Sequence, residues 1–359
     1  MDPPGPESRA DRRRQGSDRV RRRRRTVAVV AGLLGLVVVV ILGFVLWFEL
    51  ESHALGSAGK AEIVQISSGE SVSSVATELS AKKVIGSTVA FRVYGLVHGN
   101  PSLTPGSYLL HQNLTFAEVH TILAGPPNVQ AVTVAAGFTL HEVATRVGQM
   151  TGYDATSFQQ VASSGTVQST YSPSGSTNLE GLLGTGTYIV LPGETTTTLL
   201  TDMVQRFDRQ AAAAGVNAQS AAALGTTPYQ VIIAASVVEK EGYIAKNMPQ
   251  VARVIYNRLA SGLPLQMDST VLYALGQDGG PVTAADRNIR SPYNSYLNHG
   301  LPPTPICSAS PTALAAAAHP PPGGWLYFEL VQKDGTEAFS DTFAEQLANE
   351  KLAQSRGVG

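Results

Sequence analysis

The chain has 359 residues, of which 43% are hydrophobic and 15% charged. Its length implies more than one domain, and its apolar content is enough for packed cores, which excludes wholesale disorder and a collagen-like chain. The formal net charge of −1 conceals an asymmetry, because residues 1–25 carry ten Arg against Asp2, Glu7, Asp11 and Asp18. Positive charge gathered in one short tail makes no track for nucleic acid, so none is expected as a partner. The single cysteine, Cys307, excludes an internal disulfide and a multi-cysteine metal centre.

Residues 26–48 form an uncharged run, TVAVVAGLLGLVVVVILGFVLWF. As a helix the run spans roughly 34 Å, enough to cross a bilayer core of about 30 Å. Five Arg, 21–25, abut its start, and Trp47 and Phe48 sit at its end, where an aromatic belt lies. The expectation is a single-pass helix over residues 26–48, residues 1–25 in the cytoplasm, and the remainder outside. A cleaved signal peptide ending at Ser52-His53-Ala54 is the alternative; the run is long for one.

Residues 49–60 read as a stalk. Residues 61–67 alternate as a strand, Gly69 marks a turn, and Val72, Val75, Ala76 and Leu79 recur at helical spacing. The phrase returns 68 residues later, pairing Gly69 with Gly137, Val75 with Val143 and Ala76 with Ala144. Between the copies, a strand is predicted at 107–110 and a helix at 116–123, closed by Gly125-Pro126-Pro127. The Ser-, Gly- and Thr-rich stretch 161–186 reads as a long surface loop. An amphipathic helix is predicted over 195–214, further helices over 228–242 and 248–259, and a strand over 325–330.

The helix ending in Glu239-Lys240-Glu241 carries the candidate chemistry. At about 100° per residue, Ala234, Val237 and Val238 lie within roughly 60° of Glu241, whereas Glu239 points about 200° away. A carboxyl on a core-facing stripe is desolvated, its pKa rises, and it suits protonation of a glycosidic oxygen. A structural ion pair with Arg253 or Arg258 is the competing reading. Glycosidases commonly need two carboxylates. Asp268 is the candidate partner, with a helix N-cap or Asx-turn as its competing role. His299 and His319 stand alone, without metal-ligand spacing. Ser236 lacks a nucleophile-elbow frame, and nothing in the sequence identifies a base for Cys307.

In order along the chain come ASVVEKEG at 235–242, NRL at 257–259, LQMDSTVLYALG at 265–276, YNSY at 293–296, GLPPTPI at 300–306, AAAHP at 316–320 and LYF at 326–328. This series resembles the endolytic murein transglycosylases, the MltG or YceG-like family, and the phrases PGSYLL and LTFAEVHTILAGPP resemble that family's LysM-like subdomain. The resemblance implies an α+β protein: a transmembrane helix, a LysM-like module at 61–127 and a mixed α/β catalytic domain at 128–359, with a linking part at 128–215 and a motif core at 228–345. It implies a lyase that cuts nascent glycan strands between N-acetylmuramic acid and N-acetylglucosamine, needs no cofactor or metal, and works beside peptidoglycan synthases. The family's catalytic residue maps to Glu241. Gln266, Asp268, Asn294, Tyr296 and His319 match motif positions expected to line or support the cleft. The chain departs from the family pattern at Ala136, at 183–187, and at Glu337, where the family commonly has His. A hydrolytic muramidase using Glu241 and Asp268, and a non-catalytic glycan-binding scaffold, are the alternatives.

Overall fold

The computed structural model describes residues 9–53 and 57–358. The first eight residues of the Arg-rich tail, and Ala54 of the alternative cleavage site, lie outside them. The protein is mixed α+β and divides between Val129 and Gln130 into two compact units.

The first unit begins with one long helix, α1 (Arg9–Ser52). Within it, residues Val27–Ser52 are long and apolar enough to cross a membrane, and the apolar stretch is not buried inside the protein. The residues read as a stalk are divided. Those up to Ser52 continue α1, while Gly59 and Lys60 already pair with Gln112. Then follow β1 (Ala61–Ile66), α2 (Val72–Ala81), α3 (Thr88–His98), β2 (Gly106–His111) and α4 (Phe116–Ala124). β1 and β2 are antiparallel, with Val64 opposite Tyr108. Their inward residues Val64, Ile66, Tyr108 and Leu110 meet Val75, Leu79, Phe91, Phe116 and Leu123 in one core.

The second unit opens by repeating that plan: β3 (Gln130–Val134), α5 (Leu140–Gly148), α6 (Ala155–Ser163), β4 (Gly186–Val190) and α7 (Thr196–Ala213). β3 and β4 are again antiparallel. The repeat seen at Gly69 and Gly137 therefore extends over five elements. Each strand is followed by a residue at positive φ (Gly69, Asn113, Gly137 or Gly193) and, two positions later, by a hydroxyl N-cap, namely Ser71, Thr115, Thr139 or Thr195. The left-handed residue turns the chain sharply out of the strand, and the cap satisfies a free N–H of the next helix.

The two copies differ most between α6 and β4. Residues 161–186 form the expected surface loop only in part: 164–178 is irregular and mostly exposed apart from Val167 and Ser169, whereas the run 179–184 is buried, with Leu179, Leu182 and Leu183 in the main core. Gly181, at φ +70°, touches Pro305; a Cβ there would stand 2.8 Å from the Cys307 carbonyl oxygen. Low side-chain bulk here serves close packing, not solvation.

The rest of the unit is α8 (Ala218–Ala223), α9 (Pro228–Glu241), α10 (Met248–Ala260), α11 (Asp268–Leu275), a single 3₁₀ turn (Asp286–Asn288), α12 (Pro311–Ala318), the antiparallel hairpin β5 (Tyr327–Leu330) and β6 (Glu337–Ser340), and α13 (Phe343–Ser355). α9 is the central helix, with every residue from Val231 to Val238 buried. Thr227 caps it in a reciprocal box with Gln230, and Pro228 occupies its first turn.

Candidate active site

α9 delivers Glu241 to the wall of a cleft at the helix C-terminus. The helix stops at Gly242, whose N–H bonds the Val238 carbonyl at 2.8 Å. A Cβ on Gly242 would lie 2.7 Å from the Met248 side chain, so glycine is needed for the close approach of α10. The cleft has a volume of about 690 Å³, and Glu241, Gln266, Asp268, Tyr296, Tyr327 and Glu337 are among its lining residues. Glu241 and Asp268 also line an adjoining hollow of about 300 Å³ that contains Lys240, Tyr273 and Asp278.

The Glu241 carboxyl accepts a hydrogen bond from the Ser269 N–H at 3.0 Å, in the first turn of α11. Burial pushes its pKa up. Its bonding to Ser269 partly offsets this, and the charge of Asp268 adds to the rise. The competing ion pair is not formed. Arg253 bonds the carbonyls of Pro320 and Pro321, and Arg258 bonds those of Pro264 and Leu326 together with the Gln266 side chain. Glu239 does point away from Glu241, but not into solvent. Its Oε2 accepts from the Ser310 N–H at 2.8 Å and hydroxyl at 2.6 Å, tying α9 to the start of α12. Glutamine can still accept one of these bonds. Glu239→Gln is therefore expected to lose about 1 kcal/mol of stability in denaturant unfolding and keep most of its activity.

Asp268 is not a cap. The N-cap of α11 is Met267, which makes no side-chain capping bond. Instead the Asp268 carboxylate takes a two-pronged contact from Arg287, at 3.2 and 3.0 Å, and a 2.5 Å bond from the Tyr296 hydroxyl. The Arg287 guanidinium also stands 4.9 Å over the Tyr296 ring. Gln266 sits at φ +55°, an uncommon conformation for a residue with a side chain. Its N–H donates to Ser295 O at 3.1 Å, and its Oε1 accepts from Arg258 at 2.5 Å.

YNSY is a clasp around this segment. Tyr293 bonds Thr304, and the Ser295 hydroxyl accepts from the Met267 N–H at 2.9 Å. Asn294 is fully buried, donating to the carbonyls of Arg287 and Ile289 and accepting from Tyr296 N–H. Asn294 thus supports the cleft from beneath. His319 lies apart, exposed at the end of α12 beside Pro249, Thr312 and Ala315. The AAAHP motif instead joins helices, through the Tyr256 hydroxyl to Ala317 O at 2.9 Å. Cys307 is fully buried, and burial pushes its thiol well up, which is no setting for a nucleophile.

Glu337, noted in the sequence only as a departure, enters the cleft from β6. Its Oε1 accepts from the Tyr243 N–H at 3.3 Å, while Oε2 is buried without a partner. Burial pushes its pKa up to about 7, and the neighbouring Glu241 charge adds to the rise. Nothing local marks this residue, because the hairpin that brings it is nearly a hundred residues from Glu241.

A profile of the YceG-like family matches residues 64–352. An endolytic murein transglycosylase of Bacillus subtilis strain 168 is 30% identical over 310 residues, covering 82% of this chain and 85% of that protein. One from Streptococcus pneumoniae is 28% identical over 296 residues, 74% of this chain and 53% of that longer protein, so the chain spans about half of it. A crystal structure of a yceG-like protein from Listeria monocytogenes superposes with a TM-score of 0.53 at 27% identity, over 81% of this chain and 99% of that one. With the family profile spanning most of its length, the chain belongs to the YceG-like family.

Proposed function

We propose that this protein is a membrane-anchored endolytic peptidoglycan transglycosylase with Glu241 as its catalytic acid and base. The observation that carries the reading is the contrast between two carboxyls in one cleft. Glu241 has its pKa raised by burial, while Asp268 is held by Arg287 and Tyr296. Glu241 starts protonated and gives its proton to the glycosidic oxygen as the bond to C1 of N-acetylmuramic acid breaks. Its carboxylate then removes the proton from the 6-hydroxyl of the same sugar as that oxygen bonds C1. A 1,6-anhydro ring results, the acid is restored, and no water is consumed. The second carboxylate that positions water or forms a covalent intermediate in hydrolases is therefore not required. Relatives named endolytic murein transglycosylases support the substrate class.

The anchor part of the proposal rests on the exposed apolar stretch of α1, with the Arg-rich tail on the cytoplasmic side and the residues that follow α1 outside. In that position cleavage of nascent strands ends their elongation, which places peptidoglycan synthases beside the protein. The order β1-α2-α3-β2, with antiparallel strands, supports reading the first unit as LysM-like.

The experiment is mass analysis of peptidoglycan digests. The expected product carries an anhydro end, one water lighter than a hydrolytic end. Asp268→Asn, which weakens a charge-assisted contact, is expected to cost about 1–2 kcal/mol of stability and lower the rate without changing the product. A hydrolytic product that disappears with Asp268→Asn establishes the two-carboxylate muramidase instead. Absence of any product from folded wild-type protein leaves the scaffold reading.

A further inference from the structure

We propose that α3 of the first unit lies in the membrane interface, with its outer face in contact with lipid. The inference rests on the reading of α1 as the anchor and adds a second, non-spanning contact. Three side chains on α3 are unusually bare: Val89 is 61% exposed, Leu96 81% and Val97 72%. With half-buried Val93 they fall at i, i+4, i+7 and i+8, a stripe about 100° wide. The core side of the same helix is already complete. Ala90, Phe91 and Gly95 are buried there, and Tyr94 packs against the same cluster. α3 is therefore apolar on two opposite faces, and the first unit covers only one of them.

The place of this stripe identifies its occupant. α3 packs directly on α1. Trp47 and Phe48, the last residues of the apolar run, are set against the unit's core, and Phe48 meets Phe116 edge-on at 6.5 Å. Phe116 in turn meets Phe91 and Tyr94 of α3, at 5.5 and 5.9 Å. The Glu51 carboxylate lies against Gly86, just before the cap of α3. If residues 26–48 fill a hydrocarbon core of about 30 Å, Trp47 and Phe48 stand at its boundary. A helix of 11 residues, about 16 Å long and fastened to those two side chains, is thereby held in the headgroup layer. Its uncovered stripe has the dimensions of an interfacial helix, and exposed Arg92 flanks it where anionic headgroups attract a cation. The contact adds a second attachment of the first unit to the bilayer.

The test uses full-length protein in vesicles of phosphatidylethanolamine and phosphatidylglycerol. An environment-sensitive NBD probe is attached through Leu96→Cys, Val38→Cys or Ser74→Cys, each in a Cys307→Ser background. Val38 reports the anchor, and exposed Ser74 on α2 reports water. The expected result is blue-shifted emission at 38 and 96, strong quenching of both by nitroxide-labelled lipid, and iodide quenching several-fold weaker at 96 than at 74. A probe at 96 that behaves like the one at 74, while 38 is in lipid, overturns the inference and leaves the anchor standing. A probe at 96 shielded from iodide yet untouched by lipid nitroxide means that protein covers the stripe, and also overturns it. A probe at 38 in water removes the anchor reading and this inference with it.

Discussion

Glu241→Gln is expected to abolish nearly all turnover on glycan strands while leaving the fold intact. The amide preserves the shape of the side chain and can still accept the Ser269 N–H bond, but it neither donates the required proton nor takes one back. General acid and general base assistance are each worth about 10²–10⁴ in rate, so the combined loss reaches the background of most assays. Stability should not fall with it. The Glu241 pKa is higher in the folded than in the unfolded chain. Ionisation therefore opposes folding as pH rises above the ordinary carboxylate value, and the neutral amide removes that opposition. The wild-type rate should decline on the alkaline side as the proton to be donated is lost. The measurements are digestion rate across pH and thermal unfolding by circular dichroism. Wild-type activity in the folded variant would remove the catalytic assignment.

Asn294→Ala is expected to act on stability. The Asn294 side chain makes three hydrogen bonds in a fully buried position, two to carbonyls and one to an N–H. Alanine leaves those backbone groups without partners, at about 1–3 kcal/mol each, so a loss of at least about 3 kcal/mol follows. For a unit of this size that lowers the melting temperature by roughly 10 °C. The anhydro product should persist in the remaining folded protein. Unchanged melting together with weakened binding of glycan strands would make Asn294 a substrate contact and not a support.

The sequence by itself determined the elements whose cause is local. Apolar spacing, hydroxyl caps and terminal glycines specify α2, α4, α7, α9 and α10 within a few residues, because helices are stabilised by contacts three and four positions apart. The direction of Glu241, along the stripe continued from Ala234, Val237 and Val238, follows from the same periodicity. The repeat at Gly69 and Gly137 was legible for its glycines. Its second strands were harder to match, because Asn113 replaces a glycine and residues 161–186 lengthen the later copy.

What surrounds Glu241 was decided by tertiary structure. Asp268 precedes an apolar run, the sequence setting of a helix cap. Its actual partners, Arg287 and Tyr296, lie on a chain segment with no periodic relation to it. The resemblance in sequence puts His319 among the expected cleft residues, yet α12 carries it to another surface, because the order of phrases along the chain does not fix their proximity in space. Segment 161–186 is polar by composition and its first part stays at the surface, but 179–184 is buried, where Gly181 meets Pro305, a contact that no local rule contains. Glu337 reaches the cleft only through pairing of β5 with β6. The raised pKa values of Glu241 and Glu337 arise from burial that these distant segments create together, so their chemistry exists only in the folded unit.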